Sequence, residues 1–218
     1  MTAQDVSDSE PTAHGKHDRE ARARALIEAA TDVFAEAGYD AATTRAVAER
    51  AGCAEGLIHR YFGGKRGLLI AALDGKCAAQ VDMFHDGVPD RETLESEIAE
   101  LLLWLLQMAQ RGAMFMRVSV SQAAIDPEIG ANVVARLAAE HRRLLRDKLE
   151  RHRDAGRIRA DADLDAAAET VGALAFHLSF MEQIVMGIAP EQVREHARGA
   201  ATIVARGLAP AAAGPDSA

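Results

Sequence analysis

Apolar residues recur every three or four positions along most of the chain, which is the spacing that lines one face of an α-helix. The first run extends from Leu26 to Ala37, and Gly38 follows it as a typical helix-ending residue. Two short helical segments come next, at about residues 44–51 and 55–61. The sequence has no strand-like alternation of apolar and polar residues. The pattern therefore predicts a group of short helices near the start of the chain.

Longer helices are predicted beyond the glycine pair at positions 63 and 64. Glycine or proline stands near most of the interruptions between them, as expected at helix ends. After a helix that begins at Lys65, the predicted helices cover about residues 91–110, 113–124, 127–154, 165–186 and 190–208. We therefore expect an all-α protein of about nine helices.

Both ends of the sequence lack an apolar period. We expect a disordered arm over residues 1–18, which are rich in Ser, Asp, Thr and His, and a disordered tail over residues 210–218. Between them the pattern predicts a three-helix head over residues 19–64 and a larger helical body over residues 65–209.

The composition favours a soluble helical protein. Hydrophobic residues make up 49% of the chain and aromatic residues only 4%, and strong helix formers are frequent. No apolar run approaches the ~20 residues that cross a bilayer, and the polar start lacks the apolar core of a signal peptide. The two cysteines provide neither a disulfide framework nor metal-ligand spacing. We expect a cytoplasmic protein with no metal or cofactor.

Positive charge is concentrated in one short segment, although the net charge is −8. Residues 41–66 carry five basic and two acidic side chains, whereas residues 77–218 carry 15 basic and 21 acidic ones. This asymmetry suits a small nucleic-acid-binding head on a larger body that has another task.

Residues 44–61, TRAVAERAGCAEGLIHRY, fit a helix-turn-helix. Two helices that cross steeply leave little room at the crossing point, where Ala48 offers a small side chain. Gly52 falls where the turn needs a positive φ. The apolar core that the two helices would share contains Val47, Ala51, Ile58 and Tyr61.

A longer stretch of the head resembles the N-terminal signature of TetR-family repressors. The resemblance covers about residues 19–73, and the remainder of the chain fits the family's helical ligand-binding and dimerisation domain in outline. The matching residues are Gly38, Tyr39, Thr43, Thr44, Arg45, Ala48, Ala51, Gly52, Tyr61, Phe62, Lys65 and Leu68.

By this resemblance, the second and third helices and the start of the fourth contact DNA. A hydroxyl group beside free helix N–H groups, followed by Arg, is chemically suited to hold phosphate. The residues expected at the DNA interface are Thr43, Thr44, Arg45, Glu55, Gly56, Leu57, His59, Arg60, Tyr61 and Lys65.

Individual contacts remain open at several of these positions. Thr43 caps its helix, contacts phosphate, or does both. Arg60 reads guanine or contacts phosphate or solvent, and His59, which replaces the usual Tyr, can donate to phosphate. The ring of Tyr61 fits the core while its hydroxyl group fits a phosphate contact.

The recognition helix departs from the family pattern at its start. Ala54 replaces a common capping Ser, which weakens the helix start. Glu55 replaces a frequent Lys and would repel phosphate unless it accepts from a cytosine amino group, and Leu57 is suited to a thymine methyl group. The operator sequence therefore cannot be read from relatives.

Methionine and aromatic residues of the body are candidates for an effector pocket, or they simply fill its core. His177, in an apolar helix, is a candidate for a hydrogen-bonded core residue rather than a metal ligand. The candidate ligand-binding residues are Trp104, Met108, Phe115, Phe176, His177, Phe180 and Met181.

The last two long helices carry more apolar residues than one protomer needs, which suggests that they form a homodimer. The residues assigned to this interface are Val171, Leu174, Phe180, Ile184, Val185, Val193, Ala197, Ala201, Val204 and Leu208.

The sequence thus indicates a dimeric regulator, a repressor by resemblance, that binds a pseudo-palindromic operator and is released by a small apolar effector. A helical-bundle enzyme is disfavoured because no nucleophile arrangement, Glu-x-x-His pair or glycine-rich phosphate loop occurs. A ligand-binding or adaptor protein that has lost DNA binding stays open, since Ala54 and Glu55 are unusual.

Overall fold

The computed structural model describes residues 13–88 and 90–211, and every regular element within them is a helix. The first four helices are α1 (Ala13–Ala41), α2 (Thr44–Ala51), α3 (Gly56–Phe62) and α4 (Lys65–Gly87). The others are α5 (Leu94–Arg111), α6 (Ala113–Ile125), α7 (Pro127–Ile129), α8 (Ala135–Asp154), α9 (Leu164–Phe176) and α10 (Pro190–Leu208). The all-α fold class is therefore confirmed.

Two π-helical segments join neighbouring helices. Residues Gly130–Val134 connect α7 to α8, and residues His177–Val185 continue α9. With each π segment counted as part of the helices that it joins, the described residues form nine helical stretches, in line with the number of about nine expected from the periodicity. The first of these is interrupted at Gly38, whose φ of 76° lies in the left-handed region. The predicted helix over residues 127–154 is thus one continuous stretch, with a wider turn near its start.

The chain divides into two compact units, the first ending at Leu73 and the second running from Asp74. The predicted boundary at residues 64 and 65 therefore falls earlier than the observed division. The reason is that the first turns of α4 contribute to the apolar core of the head. Its fully buried side chains are Leu26, Ala30, Phe34, Val47, Ile58, Leu68, Leu69, Ala72 and Leu73.

The body has one continuous apolar core. Helix α10 packs along α5, and α8 packs along α9. The core residues of these helices are mostly Leu and Ala, whose spacing follows the helical period. No described helix is long and apolar enough to span a membrane.

The predicted disordered arm is wrong in its last third, because α1 begins at Ala13 and already includes residues 13–18. The side chains of His17 and Asp18 are exposed, and Asp18 pairs with Arg22 at 3.7 Å across one turn. Residues 1–12 and 212–218, the other parts of the predicted arm and tail, lie outside the described residues.

Candidate functional site

Helices α2 and α3 form the helix-turn-helix of the head. The hydroxyl oxygen of Thr43 accepts a hydrogen bond from the amide of Ala46 at 3.1 Å and so caps α2. At the other end, Gly52 has a φ of 62° in the left-handed region. The small side chain of Ala48 is 3% exposed. The cap at Thr43 and the left-handed turn at Gly52 are confirmed, and Ala48 is buried.

The start of α3 has no side-chain cap. Glu55 occupies the N-cap position in a helical conformation, and its carboxylate does not bind the helix amides. Instead, the hydroxyl group of Thr44 donates to Oε1 of Glu55 at 2.6 Å. Ala54 provides no hydroxyl group here, as expected. One carboxylate at the start of the recognition helix is therefore held by a residue of the preceding helix.

Three basic side chains of the head, those of Arg45, Arg50 and Lys65, already have acceptors within the protein. Nε of Arg45 lies 2.9 Å from Glu49 Oε1, and Arg50 makes two hydrogen bonds to Glu36, at 2.8 and 2.6 Å. The bond with Arg50 lowers the pKa of the Glu36 carboxyl group. Lys65 donates to a backbone carbonyl oxygen, that of Asp40, at 3.2 Å, and its ammonium group lies 4.5 Å from the centre of a tyrosine ring.

The predicted DNA-contact residues lie together on α2, on α3 and at the start of α4. Six of them are exposed: Thr43, Arg45, Glu55, Gly56, His59 and Arg60. The other four are partly buried: Thr44, Leu57, Tyr61 and Lys65. The exposed set is accessible to a ligand of the head, and contact with DNA stays a prediction for all ten.

Sequence reasoning missed the basic start of α1. The guanidinium of Arg19 lies 5.3 Å from the centre of the Tyr61 ring, beside the recognition helix. Arg22 lines an open cleft of about 550 Å³ together with Cys53 and Leu57. The sequence does show three arginines within residues 19–24. The predicted first helix was recognised only from Leu26 onward, so these arginines were not placed on a helix face.

The predicted effector residues of the body do not form one buried set. Trp104 and Met108 lie on α5 at the core, whereas Phe176 and His177 are exposed. Phe176 stacks on Phe180 with ring centres 5.3 Å apart. Phe115 and Met181 are partly buried.

The interpretation of His177 as a core residue is wrong. Its side chain is 57% exposed and lies 3.5 Å from Oε1 of Glu182, whose other oxygen lies 2.7 Å from His196 Nδ1. The helical period indicates a face but not whether a neighbour covers it, and here the face is open. No metal-binding group of three His, Cys, Asp or Glu side chains occurs among the described residues.

An aromatic cluster of the body contains a histidine that the sequence did not single out. Phe84 packs edge-on against Trp104 at 5.4 Å and lies 5.6 Å from the ring of His141. Nε2 of His141 is buried and has no hydrogen-bond partner among the described residues. Burial lowers the pKa of His141, which favours the neutral ring.

A buried ion cluster connects α5 with α8. Glu97 is 1% exposed and Lys148 is 7% exposed, and their charged atoms lie 2.6 Å apart. The backbone amide of Arg91 donates to Glu97 Oε2 at 2.5 Å, and Lys148 also donates to Asp90 at 2.9 Å. His152 lies 3.6 Å from the same glutamate. Its pKa is lowered, chiefly by burial and then by nearby Arg157.

The residues assigned to a dimer interface are corrected in part. Five of them are buried within the protomer's own core: Val171, Val193, Ala197, Ala201 and Leu208. Helical spacing placed them on an apolar face but could not tell whether a neighbouring helix of the same chain or a second chain covers that face. Four large apolar side chains within residues 164–208 are exposed: Phe176, Val185, Met186 and Ile203.

Two protein-family models match the chain. The model of bacterial regulatory proteins of the tetR family matches residues 26–72. The model of the C-terminal domain of AefR-like transcriptional repressors matches residues 97–207, about half of the chain. The chain belongs to the TetR family. It is therefore a transcriptional regulator with a DNA-binding head, as the resemblance implied.

Individual relatives agree with this assignment. The HTH-type transcriptional repressor Rv3405c of Mycobacterium tuberculosis is 32% identical over 130 residues, which cover 56% of this chain and 69% of that protein. The HTH-type transcriptional repressor AcnR of Corynebacterium efficiens is 28% identical over 146 residues, covering 64% and 70%. Both names describe transcriptional repressors.

Solved structures share the TetR-family fold. A TetR-family regulator from Mesorhizobium loti superposes with a TM-score of 0.72 at 17% identity, covering 88% of this chain and 98% of that one. FadR from Bacillus subtilis, solved in complex with stearoyl-CoA, gives a TM-score of 0.68 at 18% identity, covering 85% and 98%. At these identities the likeness concerns the fold.

Proposed function

We propose that this TetR-family regulator is a cytoplasmic repressor that binds a pseudo-palindromic operator as a homodimer and is released by a small apolar effector. The head, residues 19–64 with the first turns of α4, reads DNA. The body, up to residue 209, holds the effector and joins the two protomers. Two heads about 34–36 Å apart would reach successive major grooves on one side of the duplex.

The observation that carries the DNA-binding role is the capped helix-turn-helix with its exposed cations. Thr43 fixes the start of α2, and the exposed guanidinium of Arg45 follows two residues later. Lys65 stands at the first position of α4, where free backbone amides also favour phosphate. Phosphate contacts from both helices would set the orientation of α3 in the groove.

DNA binding is tested by fluorescence anisotropy with a labelled duplex pool at several salt concentrations. We expect affinity to fall steeply as salt rises, with a slope of about −0.9 for each phosphate contact. An Arg45→Ala, Lys65→Ala variant should bind more weakly and with a shallower slope. The charge-matched control removes exposed Lys76 and Arg111 of the body. Equal binding by the two double variants would refute the assignment.

The effector site is proposed at the aromatic cluster of Phe84, Trp104 and His141. Rings provide apolar contact area, and the buried Nε2 of His141, which has no partner among the described residues, supplies one polar anchor for an effector with a hydrogen-bonding group. FadR of Bacillus subtilis, of the same fold, was solved with stearoyl-CoA, so long-chain acyl compounds are a reasonable first probe.

Effector binding is tested with Trp104, the single tryptophan of the chain. We expect an acyl-CoA series to change its fluorescence and to release the labelled operator over the same concentration range. A His141→Phe variant should weaken both effects together. If ligand-saturated protein keeps its full operator affinity, release by an effector is wrong.

The dimer interface is proposed on the exposed apolar face of α9, α10 and the π segment between them. Ile203 on α10 is 73% exposed, and Phe176 and Val185 are exposed on the preceding stretch. Pairing such faces across a two-fold axis buries them in a four-helix arrangement. In sedimentation experiments, Ile203→Asp should dissociate the dimer. Ile125→Asp, at an equally exposed isoleucine of α6, is the matched control.

A further inference from the structure

An acidic side chain, that of Glu55, stands at the start of the recognition helix and is hydrogen-bonded to a residue of the preceding helix α2. Glu55 precedes α3, and the N-terminal end of a recognition helix is the part that contacts base edges in the major groove. The hydroxyl group of Thr44 donates to its Oε1 at 2.6 Å. An exposed glutamate would otherwise sample several rotamers. This contact therefore holds the carboxylate at the helix start.

The same hydrogen bond changes the role of Thr44. A threonine hydroxyl group has one proton, and a phosphate oxygen can only accept. While Thr44 donates to Glu55, it has no proton left for phosphate. The resemblance had placed Thr44 among the DNA contacts, but its geometry suits a residue that positions Glu55 and does not contact the DNA backbone.

The chemistry of an ionised carboxylate narrows the base that it can recognise. In the major groove, guanine offers two acceptors and thymine offers one acceptor and a methyl group, so both are unsuited to an acceptor-only side chain. Adenine offers an amino donor beside the N7 acceptor, which repels a carboxylate. Cytosine offers the N4 amino group alone, and Glu is a recognised partner for it.

We infer that Glu55 selects cytosine at one position of each operator half-site, and that Thr44 is the residue that positions its carboxylate. This inference rests on the proposed DNA binding. It explains how a negative charge is tolerated beside phosphates, since an interaction with a base offsets the repulsion. Glu55 would then contribute to the sequence specificity of the head and would not simply weaken its binding to DNA.

The inference is tested by selecting duplexes from a randomised half-site library with the full-length protein and sequencing them. The wild-type protein should prefer cytosine at one position, with the same preference in both halves. Glu55→Gln should reduce that preference about tenfold, equivalent to about 1.4 kcal/mol. Glu28→Gln removes an equal charge from an exposed site on α1 and should leave the preference unchanged.

The positioning role has its own variants. Thr44→Val should weaken the cytosine preference severalfold, while Thr44→Ser, which keeps the hydroxyl group, should retain it. Thr31→Val serves as control, because that hydroxyl group bonds only within α1, to the carbonyl oxygen of Ile27 at 2.9 Å. Circular dichroism confirms that each variant is folded.

The possible results separate the inference from the proposed function. If the wild-type protein selects no duplex, DNA binding itself is refuted. If it selects a motif and Glu55→Gln leaves every position unchanged, base reading by Glu55 is wrong. If Glu55→Gln strengthens binding to all sequences equally, the carboxylate only repels phosphate, which also overturns the inference. If Thr44→Val keeps the full cytosine preference, the positioning role of Thr44 is wrong.

Discussion

Replacing Lys148 with Met should destabilise the body strongly, because it leaves Glu97 buried without its cation. Both side chains are almost fully buried, and their charged atoms lie 2.6 Å apart. Met keeps most of the length and volume of the lysine side chain, so packing changes little. The main consequence is therefore electrostatic.

The magnitude follows from what remains around the carboxylate. After the change, Glu97 retains the amide of Arg91 at 2.5 Å and the ring of His152 at 3.6 Å, which is neutral near pH 7 because its pKa is lowered. One hydrogen bond does not replace a lost counter-charge at a site that water cannot reach. Removing one partner of such a pair costs about 3–5 kcal/mol, a large share of a typical folding free energy of about 5–15 kcal/mol.

The assay is urea unfolding followed by the fluorescence of Trp104, the single tryptophan, which lies in the same unit as the ion pair. We expect Lys148→Met to lower the free energy of unfolding by about 3–5 kcal/mol. Lys76→Met makes the same chemical change at an exposed position of α4 and should shift it by less than about 0.5 kcal/mol.

A double variant separates the effect of charge from the effect of packing. Glu97→Leu combined with Lys148→Met removes both charges, and it should recover most of the lost stability because no buried charge is left unpaired. A Lys148→Met effect below about 1 kcal/mol would contradict the reasoning. A double variant that loses the sum of the single effects would show that packing, and not charge, dominates.

Three further outcomes are expected. Burial holds the pKa of His141 and His152 below the usual value, so the unfolded chain binds protons at a higher pH than the folded protein does. The free energy of unfolding should therefore be highest above about pH 6.5 and fall below that pH. A urea midpoint that rises when the pH is lowered from about 7.5 to about 5.5 would contradict this. Burial, with a nearby carboxylate, raises the pKa of Cys77 to about 11, so mass spectrometry should find its peptide unlabelled by iodoacetamide at pH 8 unless urea is added. Gly52→Ala places a side chain at a φ of 62° and should cost about 1–2 kcal/mol in thermal unfolding, whereas Gly56→Ala, in helical backbone with open space around it, should cost nothing.

Local chemistry made the helix-turn-helix predictable from the sequence. Helix α2 has the bounds that the pattern gave, because Thr43 caps one end and Gly52 ends the other. Helix α10 begins at Pro190 for a similar reason, since proline is well suited to the first helical turn. These signals act within a few residues and need no knowledge of the tertiary structure.

Contacts between distant residues were not predictable in this way. Val193 and Ala197 were assigned to a dimer interface but pack in the protomer's own core, because helical period alone could not distinguish the protomer's own α5 from a second chain. His177 was placed in the core although its face of the helix is open. The bond between Thr44 and Glu55 joins residues 11 apart, so only the angle between α2 and α3 reveals it.

The pairing of the head's cations also bears on how the protein distinguishes an operator from other DNA. Glu49 engages only Nε of Arg45, and this exposed pair is worth only about 0–1 kcal/mol. The remaining N–H donors of Arg45 can therefore bind a well-placed phosphate, whereas a poorly placed phosphate competes with the carboxylate and gains little. With a net charge of −8, the whole chain adds no general attraction to DNA. Binding should then depend on phosphates and bases that fit both heads of a dimer at once, which favours a specific site over random sequence.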